Sequence, residues 1–553
     1  MSKFRSNASI FFTAIAVAAL SAAPHSESGA HPKRDSTLGR HVYGSVHVIV
    51  RTQPGQADVV ANTLAQRGRT IYRKHSVINA VSASVTDSDL SALDADPNVL
   101  SISTDAVLIA RPGWQNGTTT AVSTLLDTLG LPAGDVSGKG VGIGIVDSGI
   151  DLNGDFSGVS FADFTVSSTH AYDDYGHGTH VSGLIASKGA QSQGSSGTLY
   201  SGIAPKARVI MLKALDAHGV GRTSTVIAAI EYAIANRAAL GVDVLNLSLG
   251  HPIFEPASTD PLVQAVEAAS RAGITVVVAA GNVGRNPLTG AVGYAGILSP
   301  GNAPSAITVG AVDTNNTTSR LDDAVTPYSS RGPTWYDADV KPDLVAPGHN
   351  LVSDVAVGST LYLEHPDRLV TAKTNTARFM RMSGTSMASA VASGVAALVI
   401  DAARTATGQS PSPAVVKAIL GYTALPLADT DALTQGHGEI NAAGAVALAS
   451  AIDPAAAPAT WAPESLPPPQ TTIGADTLPW SQTLALSKEI VWGTGRDGDE
   501  IVWGTNTVWG LEIVWGTGTD GDEIVWGTGS DGDEIVWGTI LIWGLTIVWG
   551  TGF

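Results

Sequence analysis

From about residue 114 to 452, short apolar runs alternate with longer Ala-rich stretches of helical period. The runs at 141–146, 209–214, 242–249, 274–279 and 307–312 are apolar at nearly every position and have strand length. Residues 226–237 and 261–271 are the clearest helices between them. Strands that are apolar on both faces and separated by helices predict an α/β fold, a mostly parallel sheet flanked by helices. Side chains that handle ligands in such folds emerge at the carboxyl ends of the strands.

A different pattern comes before it. Residues 47–50 read as a strand, 57–67 as an amphipathic helix with Val59, Val60 and Leu64 on one side, and 77–85 as an alternating strand. Asp and Ser open a second helix at 86–94, and 99–102 and 107–109 read as closing strands. This order predicts a small β-α-β-β-α-β unit. Further upstream, Lys3 and Arg5 lead into an apolar stretch at 10–20 and then Ser21, Ala22 and Ala23. That is the order of a secretory signal peptide, residues 1–23, cut near 21–23. About eleven apolar residues are short for ~30 Å of hydrocarbon, so export is expected and not anchoring. No later run, 391–400 included, is expected to span a membrane.

The far end changes character again. Residues 453–472 are rich in Ala and Pro, and 453–483 reads as a stiff linker. Beyond it Glu-Ile-Val-Trp-Gly-Thr recurs from Glu489, Glu500, Glu512, Glu523 and Glu534, so 484–553 is a β-prone repeat tail and not a second enzyme domain. Three copies carry paired acids, Asp497/Asp499, Asp520/Asp522 and Asp531/Asp533. Such carboxylates suit a hard cation, but Asp-Gly hairpin turns between strands are the heavier-weighted reading. The tail's Trp residues are candidates for a glycan or cell-surface partner.

Composition narrows the function. A net charge of −18 argues against nucleic acid as a partner. The absence of cysteine removes disulfides and thiolate chemistry.

Candidate chemistry centres on Gly384-Thr385-Ser386-Met387-Ala388-Ser389, which opens the apolar run 390–400. A Ser at the mouth of a buried helix sits where unpaired N–H groups converge and the helix dipole favours an oxyanion. Taken alone, this stretch is equally an ordinary helix cap. The run 141–146 ends in Asp147-Ser148-Gly149, and Gly176-His177-Gly178-Thr179-His180 places a His at a helix start. Together these stretches hold a nucleophile, a base that titrates near neutrality and a carboxylate to orient the base.

On these three motifs, in the order Asp, His, Ser, the chain resembles the subtilase family of serine proteases over about 118–452. The resemblance implies that Asp147 orients the imidazole, His177 acts as base and then acid, and Ser386 attacks the carbonyl. His180 is expected to be structural. In Ala279-Ala280-Gly281-Asn282, Asn282 matches the family's oxyanion donor. Ser248, Leu249 and Gly250 match the edge that pairs with substrate, Ala279 to Gly281 a wall of the specificity pocket, and Leu298 its floor. Residues 41–110 resemble in pattern an inhibitory propeptide cut off near Ala110, with 115–452 as the catalytic domain. No organic cofactor is implied. Subtilases often bind a structural calcium near 188–201, but that loop lacks acidic residues here, so calcium stays open. The expected function is a secreted, self-processing endopeptidase acting on protein or peptide substrates. The rival is a surface adhesion or scaffold protein that works through its tail with a silent protease domain.

Overall fold

The computed structural model describes residues 33–39, 42–110, 112, 124–131, 137–156, 158–192, 199–286, 289–371, 378–453 and 466–483. The signal-peptide region and the repeat tail therefore lie outside the described residues.

The small unit runs β1 (Ser45–Thr52), α1 (Ala57–Gln66), β2 (Ile71–His75), β3 (Ala80–Thr86), α2 (Asp87–Ala95) and β4 (Val99–Thr104). Its sheet is antiparallel in the order β2-β3-β1-β4. Val48, Val50, Leu64, Val81, Leu90 and Ile102 fill its core. Thr86 caps α2, its backbone N–H donating to Asp89 Oδ2 at 2.9 Å.

Two expectations change here. The run read as one strand at 77–85 begins with a turn, and the preceding strand, β2, is the one that apolar alternation misses. Its inward positions include Arg73 and His75, polar residues that face the larger unit: Arg73 Nη2 donates to Phe164 O at 2.9 Å and His75 Nδ1 lies 3.3 Å from Glu231 Oε2. Nor does 107–109 close the small sheet, because the β4 edge is already bridged by Arg34 at Ile102. Instead β5 (Val107–Ile109) crosses to the larger unit.

The larger unit follows α3 (Leu125–Thr128) with β6 (Gly142–Asp147), β7 (Ser160–Asp163), α4 (His177–Ala186), β8 (Arg208–Lys213), β9 (Val220–Arg222), α5 (Thr223–Ala235), α6 (Arg237–Leu240) and β10 (Val242–Leu247). It continues with α7 (Pro261–Arg271), β11 (Thr275–Ala279), β12 (Ile307–Asp313), β13 (Ala324–Val325), β14 (Leu344–Pro347), α8 (Thr360–Glu364) and α9 (Thr385–Thr407). Strand order is β13-β12-β11-β10-β6-β8-β7, with β14 also on β12, and only β13 runs antiparallel. The predicted α/β class is what forms. Side chains alternate between faces: Val244 and Val277 join the α4/α9 core, while Leu245, Leu247, Val276 and Val278 join the α5/α7 core.

Helix α9 is long and apolar enough to cross a membrane, contrary to the expectation that no later segment is, yet its apolar window is wholly buried inside the protein. It is a core helix. Part of the stretch read as linker is also docked. Residues 470–479 form a hairpin whose Ile473, with Trp480 just beyond, is buried in the α9 core, and Trp480 Nε1 donates to Thr471 Oγ1 at 2.7 Å. The Ala/Pro-rich composition conceals these two apolar anchors.

The two units meet through apolar and polar contacts, and Ile49, Ile78 and Ala80 of the small unit join the α5/α7 core. Arg51 Nη1 donates to Ser258 O (3.2 Å) and Thr259 O (3.3 Å), and Glu231 of α5 accepts the Val77 N–H (2.8 Å). Asp105 accepts from both the N–H and the hydroxyl of Ser224 at 2.8 Å, which places its charge at the start of α5. Glu255, buried in this interface near Asp35, Arg51, Ser103, Thr259 and Asp260, has its carboxyl pushed up to about 8, first by burial and then by Asp260.

The closed interface therefore favours the protonated Glu255, and separation would lower its pKa by the share of the shift that burial under the small unit and Asp35 cause, while Asp260 stays beside it. Its contribution to cohesion is complete below the separated pKa. It then falls by up to about tenfold per pH unit until the closed-state pKa is passed. In a Ser386→Ala chain nicked between the units by an added protease, we expect size exclusion to show intact material at pH 5 and separated units at pH 8.5. Glu255→Gln should flatten this difference. Equal cohesion at both pH values in the parent would refute it.

Candidate active site

The strands deliver their polar residues to one edge. Asp147 is the last residue of β6, Ser248 follows β10, and Ala280 to Asn282 follow β11. Asp147 is fully buried, and both carboxylate oxygens lie against His177 Nδ1, at 2.8 and 2.9 Å. The Ser148 N–H also donates to Asp147 Oδ1 at 2.7 Å. A carboxylate bound to Nδ1 selects the tautomer that leaves Nε2 free to take a proton. His177 Nε2 is buried and has no hydrogen-bond partner among the described residues.

His177 opens α4, and Asp173 holds that opening in place. The Asp173 carboxylate accepts from Gly176 N (2.7 Å), Thr179 N (2.8 Å), Thr179 Oγ1 (2.6 Å) and Ser148 Oγ (2.9 Å). One buried side chain thus caps the His177 helix and ties it to the turn after Asp147. Gly178 permits the approach, since a Cβ there would stand 2.2 Å from Gly149 O. Below the turn, fully buried Lys213 donates to Ser148 O (2.5 Å), Asp174 Oδ1 (2.6 Å) and Leu215 O (2.9 Å). Sequence reading missed Asp173 and Lys213. Asp173 lies three residues before the N-cap position, which Gly176 holds, so helix-start spacing does not point to it.

Ser386 lies in the first turn of α9, behind Gly384 at φ 150°. Its Oγ donates to Ser248 O at 3.2 Å and not to His177. A polar ladder pins α9 to β10. Ser389 Oγ meets Ser248 Oγ (2.9 Å), Ser393 Oγ donates to Asn246 Oδ1 (2.9 Å), and Asn246 Nδ2 donates to Ser248 Oγ (2.9 Å). Asn282 Oδ1 accepts from Thr385 N (2.9 Å) and Thr385 Oγ1 (3.1 Å), which fixes its amide orientation beside the start of α9. Four residues distant in the chain therefore meet at one edge.

The flanking cleft is occupied by the chain's own segment. β5 pairs antiparallel with β9 on one side, and Ile109 bridges Gly250 on the other. Leu108 and Ala110 are buried there. Leu298 stands between Gly250 and Gly281: a Cβ on either glycine would come within 3.1 and 2.7 Å of it. The Ala280 carbonyl accepts the Leu298 N–H at 3.0 Å. Leu249, Ala279 and Ala280 are all buried behind this surface.

His180 takes no part in the constellation. It is buried with Nε2 against the carbonyls of Leu351 (3.2 Å) and Met380 (3.1 Å), and desolvation, aided by His177, lowers its pKa to about 3.

Among the described residues no group of three or more His, Cys, Asp or Glu could hold a metal. Near the loop where calcium is expected, Asp155 and Asp354 face each other, and Asn153 Nδ2 donates to Asp354 Oδ1 at 2.9 Å. Burial and then Asp155 push the Asp354 carboxyl well up, so the pair favours a shared proton. This set falls short of the six to eight oxygens that calcium takes. Residues 193–198 of that loop lie outside the described residues.

A mostly parallel α/β sheet with Asp, His and Ser gathered at its carboxyl edge, in that chain order, defines a class of serine hydrolase. The chain belongs to the subtilase family, whose family model matches residues 138–446, and it is accordingly a serine endopeptidase. It is 39% identical to serine protease AprX of Bacillus subtilis (strain 168), over 56% of this chain and 67% of that one. It is 31% identical to subtilisin E of the same organism, over 61% and 75%. The M-protease of Shouchella clausii (strain KSM-K16) is also 31% identical, over 60% and 71%. Fervidolysin from Fervidobacterium pennivorans, a keratinolytic enzyme related to subtilisin, shares the fold, with a TM-score of 0.56 and 20% identity over 75% of this chain and 63% of that one.

Asp173 yields a test of how the edge is held. Asp173→Ala removes a helix cap and leaves buried donors unpaired, so it should cost about 2 kcal/mol. Urea unfolding in a Ser386→Ala background would measure this without self-digestion. An unchanged midpoint would show that the cap carries no load.

Proposed function

We propose that the chain is a secreted endopeptidase made as a self-processing zymogen, with Asp147, His177 and Ser386 as its triad. Asp147 holds the imidazole. His177 Nε2 takes the Ser386 proton as Oγ attacks a peptide carbonyl, then gives that proton to the leaving amine. Water hydrolyses the acyl-enzyme in the reverse sense. Asn282 Nδ2 and the Ser386 N–H at the start of α9 stabilise the oxyanion. These groups need no organic cofactor.

The observation that carries this reading is the path of β5. The segment leaves the small unit and enters the cleft as an added strand, the mode in which a protease grips extended substrate through backbone hydrogen bonds. Residues 41–110 are read accordingly as an inhibitory propeptide released near Ala110, and 1–23 as a signal peptide for export. Proteins and peptides are the substrates. The repeat tail at 484–553 is assigned a cell-surface or glycan partner.

Ser248, Leu249 and Gly250, with Ala279, Ala280 and Gly281, are read as pocket walls and Leu298 as the floor. Leu298 shortens the pocket, so medium apolar side chains are favoured over Phe or Tyr.

Two experiments follow. The parent chain should lose residues up to about Ala110 and digest casein, while Ser386→Ala stays full length and digests none. Identical cutting of both chains with no casein digestion would refute the triad. Leu298→Gly should raise kcat/KM for a peptide with Phe before the scissile bond by about tenfold relative to Leu. An unchanged Phe/Leu ratio would remove Leu298 from the pocket.

A further inference from the structure

Antiparallel pairing sets the register of the cleft. Ile109 is opposite Gly250, and two residues along the Gly250 edge stands Ser248, whose carbonyl accepts from the Ser386 hydroxyl. The reacting carbonyl of a substrate therefore belongs two residues beyond the place of Ile109. Ala110 marks the place between them, one residue upstream of the bond to be cut. Its N–H donates to Gly219 O at 3.0 Å. Its carbonyl accepts from the Tyr175 hydroxyl at 2.9 Å, in the interior.

Tyr175 is built to make that bond. Its ring lies on the backbone of Gly219, where a Cβ would come within 2.3 Å of Tyr175 Cε1 and 2.9 Å of Ala110 O. Gly219 sits at φ 69°, in the region that glycine favours. The Tyr175 backbone is held from the other side by the α8 segment. Leu361 N donates to Tyr175 O at 3.0 Å, Thr360 N to Asp174 O at 2.9 Å, and Thr360 Oγ1 to Ala217 O at 2.8 Å. The ring stands 6.4 Å from the His177 ring, beside the triad but outside it.

We propose that Tyr175 is a substrate-binding residue that donates its hydroxyl to the backbone carbonyl of the residue immediately upstream of the one cleaved. Together with Gly219 it holds both backbone groups of that residue, whatever its side chain. Ala110 is itself buried, which further selects for small side chains there. This proposal rests on the active-site reading above.

The test compares the self-processed parent with Tyr175→Phe, each counted for competent sites by titration with a serine-directed sulfonyl fluoride. An N-blocked tetrapeptide nitroanilide presents the upstream carbonyl, and p-nitrophenyl acetate ends at the reacting acyl group. We expect Tyr175→Phe to lower kcat/KM about fivefold to tenfold on the peptide. The acetate rate should stay within about twofold, with the pH profile unmoved. No loss on the peptide overturns the proposal. An equal loss on both substrates also overturns it, because Tyr175 would then act through His177 or Ser386. If the parent turns over neither substrate, the active-site reading fails first and this proposal falls with it.

Discussion

A helix buried along most of its length must find partners inside the protein for every polar side chain it carries. Every residue of α9 from Thr385 to Ala403 is buried, yet Ser386, Ser389 and Ser393 lie on it. Their hydroxyls are satisfied by Ser248 and Asn246 at the end of β10, and an unmade bond at such depth would be costly. The same contacts fix the rotation and height of α9 against the sheet. The position of Ser386 is therefore set by core packing and the polar ladder together. The nearby loops are fitted to a helix that has little freedom to move.

His177 is held by a separate device. α4 begins at a turn clamped by Asp173 and Ser148, and buried Lys213 holds the carbonyl of that turn. Asp147 and His177 thus share one rigid block, and Ser386 belongs to another. In the present state the bond between the blocks is not made: Ser386 Oγ turns to Ser248 O, and His177 Nε2 has no partner among the described residues. Occupation of the cleft by residues 107–110 accompanies this arrangement.

The small unit fits the large one where the latter has unsatisfied groups. Asp105 meets the N–H groups at the start of α5, Glu231 takes the Val77 N–H, and β5 covers an exposed strand edge. Ile49, Ile78 and Ala80 add an apolar seam to these polar contacts by joining the α5/α7 core. The interface also buries Glu255 beside Asp260, and burial and then Asp260 raise its carboxyl pKa.

Much of this was legible in one dimension. Continuous apolar runs marked five central strands, since a strand covered on both faces has no polar position, and a long small-residue run marked α9. Long Gly-rich motifs picked out Asp147, His177 and Ser386, because close backbone approach demands those glycines. β2 was invisible because its inward residues are Arg73 and His75, whose partners lie in the other unit. The route of β5, the docked hairpin at 470–479, and the contacts of Asp173, Lys213 and Tyr175 were likewise settled only in three dimensions. Periodicity records which face of an element is apolar. A polar side chain's partner is chosen by long-range packing, which brings distant residues together and leaves no local trace.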